Sequence, residues 1–221
     1  MLRSNLFCAI LLLLLTFLTP AHATVGASLI DAARDGHMPQ IKKWLQTHDV
    51  NLKDSSHYSA FMWASISGHL DVMEHLLEVG AHINTRDRVY HTPLILAARD
   101  GRLEVVNFLI EKGAKLEMRD NSRMTALTWA SVRGNHDIMH ALVEAGSNIH
   151  HEDHIDRTPL DWAKHGNHDT IHDHLLSKGA TTSEHREAHA KQKEKDAEDV
   201  RTARQEKARA RNAAKLAEAE L

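Results

Sequence analysis

The chain has little cysteine, little proline and few aromatic side chains: one Cys, four Pro, two Tyr, four Trp and four Phe in 221 residues. Cys8 lies in the first apolar run, so the rest of the sequence has no disulfide, no thiolate nucleophile and no cysteine-based zinc or iron–sulfur site. An excess of one charge is also missing. Lys and Arg number 27 against 30 Asp and Glu, a formal net charge of −3, and nothing suggests the clustered basic surface that nucleic acid requires. There is no G-x-S-x-G elbow, no phosphate-cradling glycine loop and no carboxylate pair that spacing alone places in a cleft, so an enzyme is not expected.

What is present begins with Met1–Ala23, where Arg3 precedes the run "LFCAILLLLLTFL" and then "TPAHA". That order reads as a secretory signal cleaved after Ala23. The run is shorter than the roughly 20 residues that span a bilayer, so a periplasmic or secreted chain without membrane insertion is the expectation. Such a chain, without disulfides, has to fold by packing alone.

The remainder carries a period of 33. Gly80, Gly113, Gly146 and Gly179 keep it, as do Gly68, Gly101 and Gly134, Thr92, Thr125 and Thr158, and Ala64, Ala97, Ala130 and Ala163. A Thr that caps a short helix, small alanines that allow close packing and a glycine that closes in the left-handed conformation make a first helix. Apolar residues at helical spacing, as in "VVNFLI", followed by a second glycine make a second helix. Asn167 replaces the first glycine in the last unit, and Asn tolerates the left-handed backbone best after glycine.

These motifs, best seen in "TPLILAARDG" with "FLIEKGA" and "TALTWASVRG" with "ALVEAGS", resemble the ankyrin repeat family from about Ser28 to Ala180. The resemblance implies an all-α solenoid of about five helix-turn-helix repeats with short β-hairpin-like loops. The expected organisation is a signal peptide at 1–23, a divergent N-terminal repeat at 24–53, repeats at 54–86, 87–119 and 120–152, a C-terminal repeat at 153–182 and a charged helical or disordered tail at 183–221. The tail is rich in Ala, Glu, Lys and Arg, and its nearly balanced charge argues against membrane or nucleic-acid capture.

Two departures from the family stand out. The T-P-L-H histidine is replaced by Met62, Ile95, Thr128 and Asp161, which predicts loss of its inter-repeat hydrogen bonds. The next position holds Trp63, Leu96, Trp129 and Trp162, and the tryptophans are read as core. In the last unit His172 and His174 replace apolar residues of earlier second helices, as an end cap requires.

Histidine is in excess, at 19 residues. "HHEDH", His150 to His154, differs from a zinc-hydrolase motif in spacing and falls in a loop. His136 with His140, and His168 with His172, have the i, i+4 spacing that can share a metal on a helix. In register, His136 and His140 should lie beside Asp169 and Asp173 of the next repeat. Ordinary surface hydrogen bonding and weak metal or haem uptake both remain open for these residues, and no resident cofactor is expected.

The family resemblance further implies that loop tips and first-helix faces form a concave partner-binding surface. Carried over by position, it contains Tyr58, Ile66, Arg88, Val89, Tyr90, His91, Arg99, Asp100, Arg123, Met124, Val132, Arg133, Ile155 and Arg157. Aromatic and arginine side chains among small polar ones suit protein recognition. The expected molecule is a monomeric, non-enzymatic scaffold that binds another protein, with histidine-mediated haem or metal carriage as the alternative. Small exported bacterial ankyrin proteins look similar in layout, which suggests a part in peroxide defence or toxin neutralisation.

Overall fold

The computed structural model describes residues 29–184 and, beyond them, 188, 191–195, 197–198, 201–202 and 204–205. The expected signal segment and the remaining tail positions lie outside the described residues. Helical residues 29–34 are followed by α1 (Met38–Leu45), α2 (Ala60–Ser67), α3 (Leu70–Glu78), α4 (Pro93–Arg99), α5 (Leu103–Glu111), α6 (Ala126–Arg133), α7 (His136–Glu144), α8 (Pro159–His165) and α9 (Asp169–Ser177). The described tail positions from 188 onward are helical and exposed.

The period of the sequence is the period of the structure. Ser59, Thr92, Thr125 and Thr158 cap α2, α4, α6 and α8, each side-chain oxygen accepting from the backbone N–H three residues on at 3.2 to 3.3 Å. These contacts satisfy amides that a helix start would otherwise leave unpaired. At the far end Asn167 takes φ 56°, as its place in the repeat predicts.

First and second helices bury different amounts of surface, and their sequences show why. Helix α4 lies between α2 and α6 and packs on α5 as well. Consequently Pro93, Leu94, Ile95, Leu96, Ala97 and Ala98 are all buried, and the helix is apolar on every side. Helix α5 buries only Val105, Val106 and Leu109, one stripe at helical spacing. Full burial of a side chain such as Leu109 contributes on the order of 2 kcal/mol. The same first-helix stacking continues from α6 to α8, while α5 packs on α7 and α7 on α9.

Successive repeats are also tied by hydrogen bonds, in places other than the replaced T-P-L-H position. His69 Nε2 lies 3.0 Å from the Arg34 carbonyl, Asn135 Nδ2 donates to the Ala98 carbonyl at 2.8 Å, and His168 Nε2 lies 3.2 Å from the Val132 carbonyl. Each of these residues precedes a second helix and reaches back to the end of the previous first helix. A Cβ on Gly134 would stand 2.6 Å from the His168 ring, so this tie needs a residue without one. Lower down, Asn51 Oδ1 accepts from His82 N–H, Asn84 Oδ1 from Lys115 N–H, and Glu117 Oε1 from Asn148 N–H, each at 2.9 Å.

Among the described residues there is no named strand, only an isolated bridge between Lys53 and Ser59. The hairpin-like loops are tight turns, closed by their own backbone.

Candidate partner-binding face and histidine cluster

Each turn is built around an aspartate. Asp54, Asp87, Asp120 and Asp153 donate their backbone N–H to the carbonyl four residues on, at 2.9 to 3.1 Å. The Oδ1 of each accepts two backbone N–H groups, from Ser56 and Tyr58, Val89 and His91, Ser122 and Met124, and Ile155 and Arg157. This local side-chain bonding is what Asp offers a turn. It also fixes the fourth residue at positive φ: 66° for His57, 67° for Tyr90, 59° for Arg123 and 60° for Asp156. None of the four is glycine, and none is an Asn.

The other carboxylate oxygen explains the tryptophans. Trp63, Trp129 and Trp162 donate Nε1–H to the Oδ2 of Asp54, Asp120 and Asp153 at 3.1, 2.8 and 2.8 Å. All three are half-buried, with Trp63 and Trp129 packed against the hydrophobic core, so the reading of them as core holds for those two at the core's edge and is corrected for Trp162; the indole N–H of each braces a turn. The third repeat has Leu96 instead, fully buried, and His91 Nδ1 takes the oxygen of Asp87 at 2.9 Å.

The turns line up as a row. Asn121 N–H donates to the Val89 carbonyl and His154 N–H to the Ser122 carbonyl, both at 3.1 Å. His151 Nε2 sits 2.7 Å from the Arg123 carbonyl. Burial raises the Tyr58 phenol above its ordinary pKa, and the charge of Asp87 on the next turn raises it further.

On this row and at the ends of the first helices the expected contact residues separate by exposure. Val89, Tyr90 and Ile155 are large apolar groups left 43 %, 50 % and 47 % exposed, and Arg88, Arg123 and Arg133 are exposed too. Among the described residues no hydrogen bond or ion pair engages the guanidinium groups of those three arginines. A second group is half-buried and occupied: Tyr58 tilts onto Trp63, Arg157 lies over Trp162, and Arg99 pairs with Asp100 at 2.9 Å. That hydrogen bond with Asp100, ahead of the opposing effect of burial, raises the Arg99 pKa. Ile66 and Val132 are half-buried as well.

Two residues require correction. Met124 is 7 % exposed and its amide is held by Asp120, so it belongs to the turn's support and not to a free surface. His91 is not free to meet a partner either. Its ring lies between Asp87 and Asp120, with Nε2 3.7 Å from Asp120 Oδ2. Its position before the capping Thr92 turns it inward, where a carboxylate lacks the tryptophan present in other repeats.

The row of aspartate turns, the capped first helix and the glycine-closed second helix repeat in one phase across the chain. The family model described as ankyrin repeats, in three copies, matches residues 11–87, 29–120 and 87–153. The chain belongs to the ankyrin repeat family. Ankyrin repeats typically have no enzymatic activity and generally bind other proteins. A comparison with curated proteins gives no match.

The histidine pairs are arranged differently from the i, i+4 reading. His168 is used in the inter-repeat tie to Val132, and His172 Nδ1 lies 3.2 Å from its neighbour Asp173. Among the described residues no hydrogen bond or ion pair joins Asp169 or Asp173 to His136 or His140. Their neighbour on α9 is His174, with ring centroids 5.8 and 5.1 Å away. The partner that the next helix offers these two rings is thus an imidazole and not the expected carboxylate. Burial, followed by the nearby His140 and Lys178, lowers the pKa of His174.

Proposed function

We propose that the chain is an exported, non-enzymatic adaptor of the ankyrin repeat family that docks another protein on its row of turns. Val89, Tyr90 and Ile155 supply apolar contact area, and Arg88 and Arg123 supply charge beside it. The observation that carries this reading is Tyr90, half exposed at φ 67°. A bulky side chain in the left-handed region costs about 1–2 kcal/mol, and glycine would occupy the same turn without that cost. Keeping an exposed tyrosine there is reasonable if the ring has a use outside the fold.

The arginines fit a partner surface bearing carboxylates around an apolar patch, since bidentate pairing with carboxylate is the geometry guanidinium favours. Export is supported by the pattern of Met1–Ala23, and the periplasm is the compartment we infer. Support of a peroxide-defence enzyme and neutralisation of a toxin are the roles we assign to such an adaptor, and the captured partner distinguishes them. Affinity capture from a periplasmic extract, with wild type beside a Tyr90→Ala/Arg123→Ala variant, tests the face. A partner recovered by the wild type and lost by the variant supports it, and equal recovery of every partner by both removes it.

A further inference from the structure

At the end of the stack, α7 and α9 bring together three side chains that the row of turns does not use. His140 and Glu144 stand one helical turn apart on α7, and His174 faces them from α9. Their potential ligand atoms all lie within 4.8 Å of one another. The rings of His140 and His174 meet at 66° with centroids 5.1 Å apart. His174 Nε2 is buried and has no hydrogen-bond partner.

That last nitrogen needs a physical explanation. A buried polar atom without a partner is costly, and native structures hold few of them. Among the described residues the other two such atoms, Arg86 Nε and Ser147 Oγ, do not belong to a group of potential ligands. An edge-to-face imidazole pair gives His174 dispersion contact but leaves Nε2 without a partner. A cation shared with His140 and Glu144 would give the nitrogen one.

We propose that His140, Glu144 and His174 form a binding site for a divalent transition metal of the zinc type, bridging the last two second helices. Two imidazoles and a carboxylate suit Zn²⁺, Co²⁺, Ni²⁺ or Cu²⁺, whereas Ca²⁺ and Mg²⁺ require oxygen ligands. Tetrahedral zinc with bonds near 2.1 Å sets its ligands about 3.4 Å apart. The three groups therefore close by on the order of 1 Å when the ion enters. His140 and Glu144 are exposed and can turn. Glu144 Oε1 now accepts from Lys178 Nζ at 2.7 Å, so the metal takes the place of that ammonium as the cation beside the carboxylate. A three-residue site leaves at least one position for water.

His136 lies one turn before His140 but does not join the three within ligand distance. The other members of the sequence-suggested pairs, His168 and His172, are placed elsewhere, as described above. The site is independent of the docking face, and either can fail without affecting the other.

Isothermal titration of the metal-stripped full chain with Zn²⁺ at pH 7.5, repeated with Co²⁺ while visible absorption is recorded, tests this. The expected result is saturable uptake of one Zn²⁺ per chain with the visible bands of low-coordinate Co²⁺. His140→Ala, Glu144→Gln and His174→Leu should each weaken it at least tenfold, and His37→Ala, a change at an exposed histidine of α1's start, should leave it unchanged. His140 is exposed, so its variant gives an answer even if His174→Leu perturbs the cap. No saturable uptake below millimolar Zn²⁺ would overturn the proposal. So would binding that survives His140→Ala and His174→Leu together, or uptake of haemin without Zn²⁺.

Discussion

His91 Nδ1 lies 2.9 Å from Asp87 Oδ2, and in the third repeat this contact replaces the indole N–H that Trp63, Trp129 and Trp162 donate to the equivalent aspartate. Two side chains at different positions of the repeat thus perform one task. They do so because each turn leaves one carboxylate oxygen unpaired after its Oδ1 has accepted two amides. Asp87 is 6 % exposed, so water does not readily substitute.

His91→Ala should therefore lower stability by about 1–3 kcal/mol, the cost of leaving a buried acceptor without a donor. Urea denaturation at neutral pH measures it. Full retention of the midpoint would show that Asp87 finds another donor.

The same geometry couples neighbouring repeats. His91 Nε2 is 3.7 Å from Asp120 Oδ2, the oxygen that Trp129 serves. When Trp129→Phe removes the indole N–H, His91 is placed to compensate. The double variant should then lose more than the sum of the single losses, by roughly 0.5–3 kcal/mol for contacting residues. A strictly additive cycle would show that the two act separately.

Much of this was legible in the sequence, and the physical reasons for the misses are specific. Thr92, the glycines and Asn167 have local roles, capping and left-handed closure, that a single residue type performs wherever it recurs. The period gave their phase, and the structure places them accordingly. His91, Met124 and the tryptophans depend on which way a side chain points from a turn. Residue type does not carry that information, so Met124 was expected on a surface when it lies beneath one. The Asp at the start of every turn was a visible signal, since an acceptor repeated at the same phase calls for a repeated donor. His174 was assigned only to capping, because facing residues on α7 and α9 are not in simple register at 33.

Tyr90 allows stability and binding to be separated. At φ 67° glycine relieves strain, although the chain gains entropy when unfolded and the contact of Arg86 over the ring is lost. Tyr90→Gly should hence stay within about 1 kcal/mol of the wild type, while β-branched Tyr90→Val should be less stable than the glycine variant by roughly 1–2 kcal/mol. Thermal melts of the two give the order, and the reverse order would mean that φ is not what constrains this position. On the proposed face, both variants lose partner recovery.

The core should respond differently from that face. Leu109 is fully buried between repeats and Leu94 nearly so. Alanine at either leaves a cavity and should cost about 2–5 kcal/mol. Denaturant midpoints for Leu109→Ala beside Arg88→Ala, which is exposed, should differ by most of that amount. Equal midpoints would mean that the stack does not depend on the stripe Val105, Val106 and Leu109.

Acid should weaken the end of the stack through Asp161. Burial raises the pKa of this carboxyl, but hydrogen bonds from Thr158 and Ser183 outweigh it, and the net direction is downward. Its Oδ2 accepts from Thr158 N–H at 2.9 Å, Thr158 Oγ1 at 2.8 Å and Ser183 N–H at 3.1 Å. A carboxyl with a lower pKa folded than unfolded stabilises the fold above the unfolded value. That contribution is lost as pH falls from the usual carboxylate range, about 4, through the folded value. Asp161→Asn keeps the shape and an acceptor but cannot titrate, so its melting temperature should fall less steeply than that of the wild type below about pH 4. At neutral pH, Asp161→Ala should cost about 0.5–2 kcal/mol, the range for a lost helix cap. Melts across the acid range decide it: parallel curves for wild type and Asp161→Asn would show that Asp161 is not the source of the acid sensitivity.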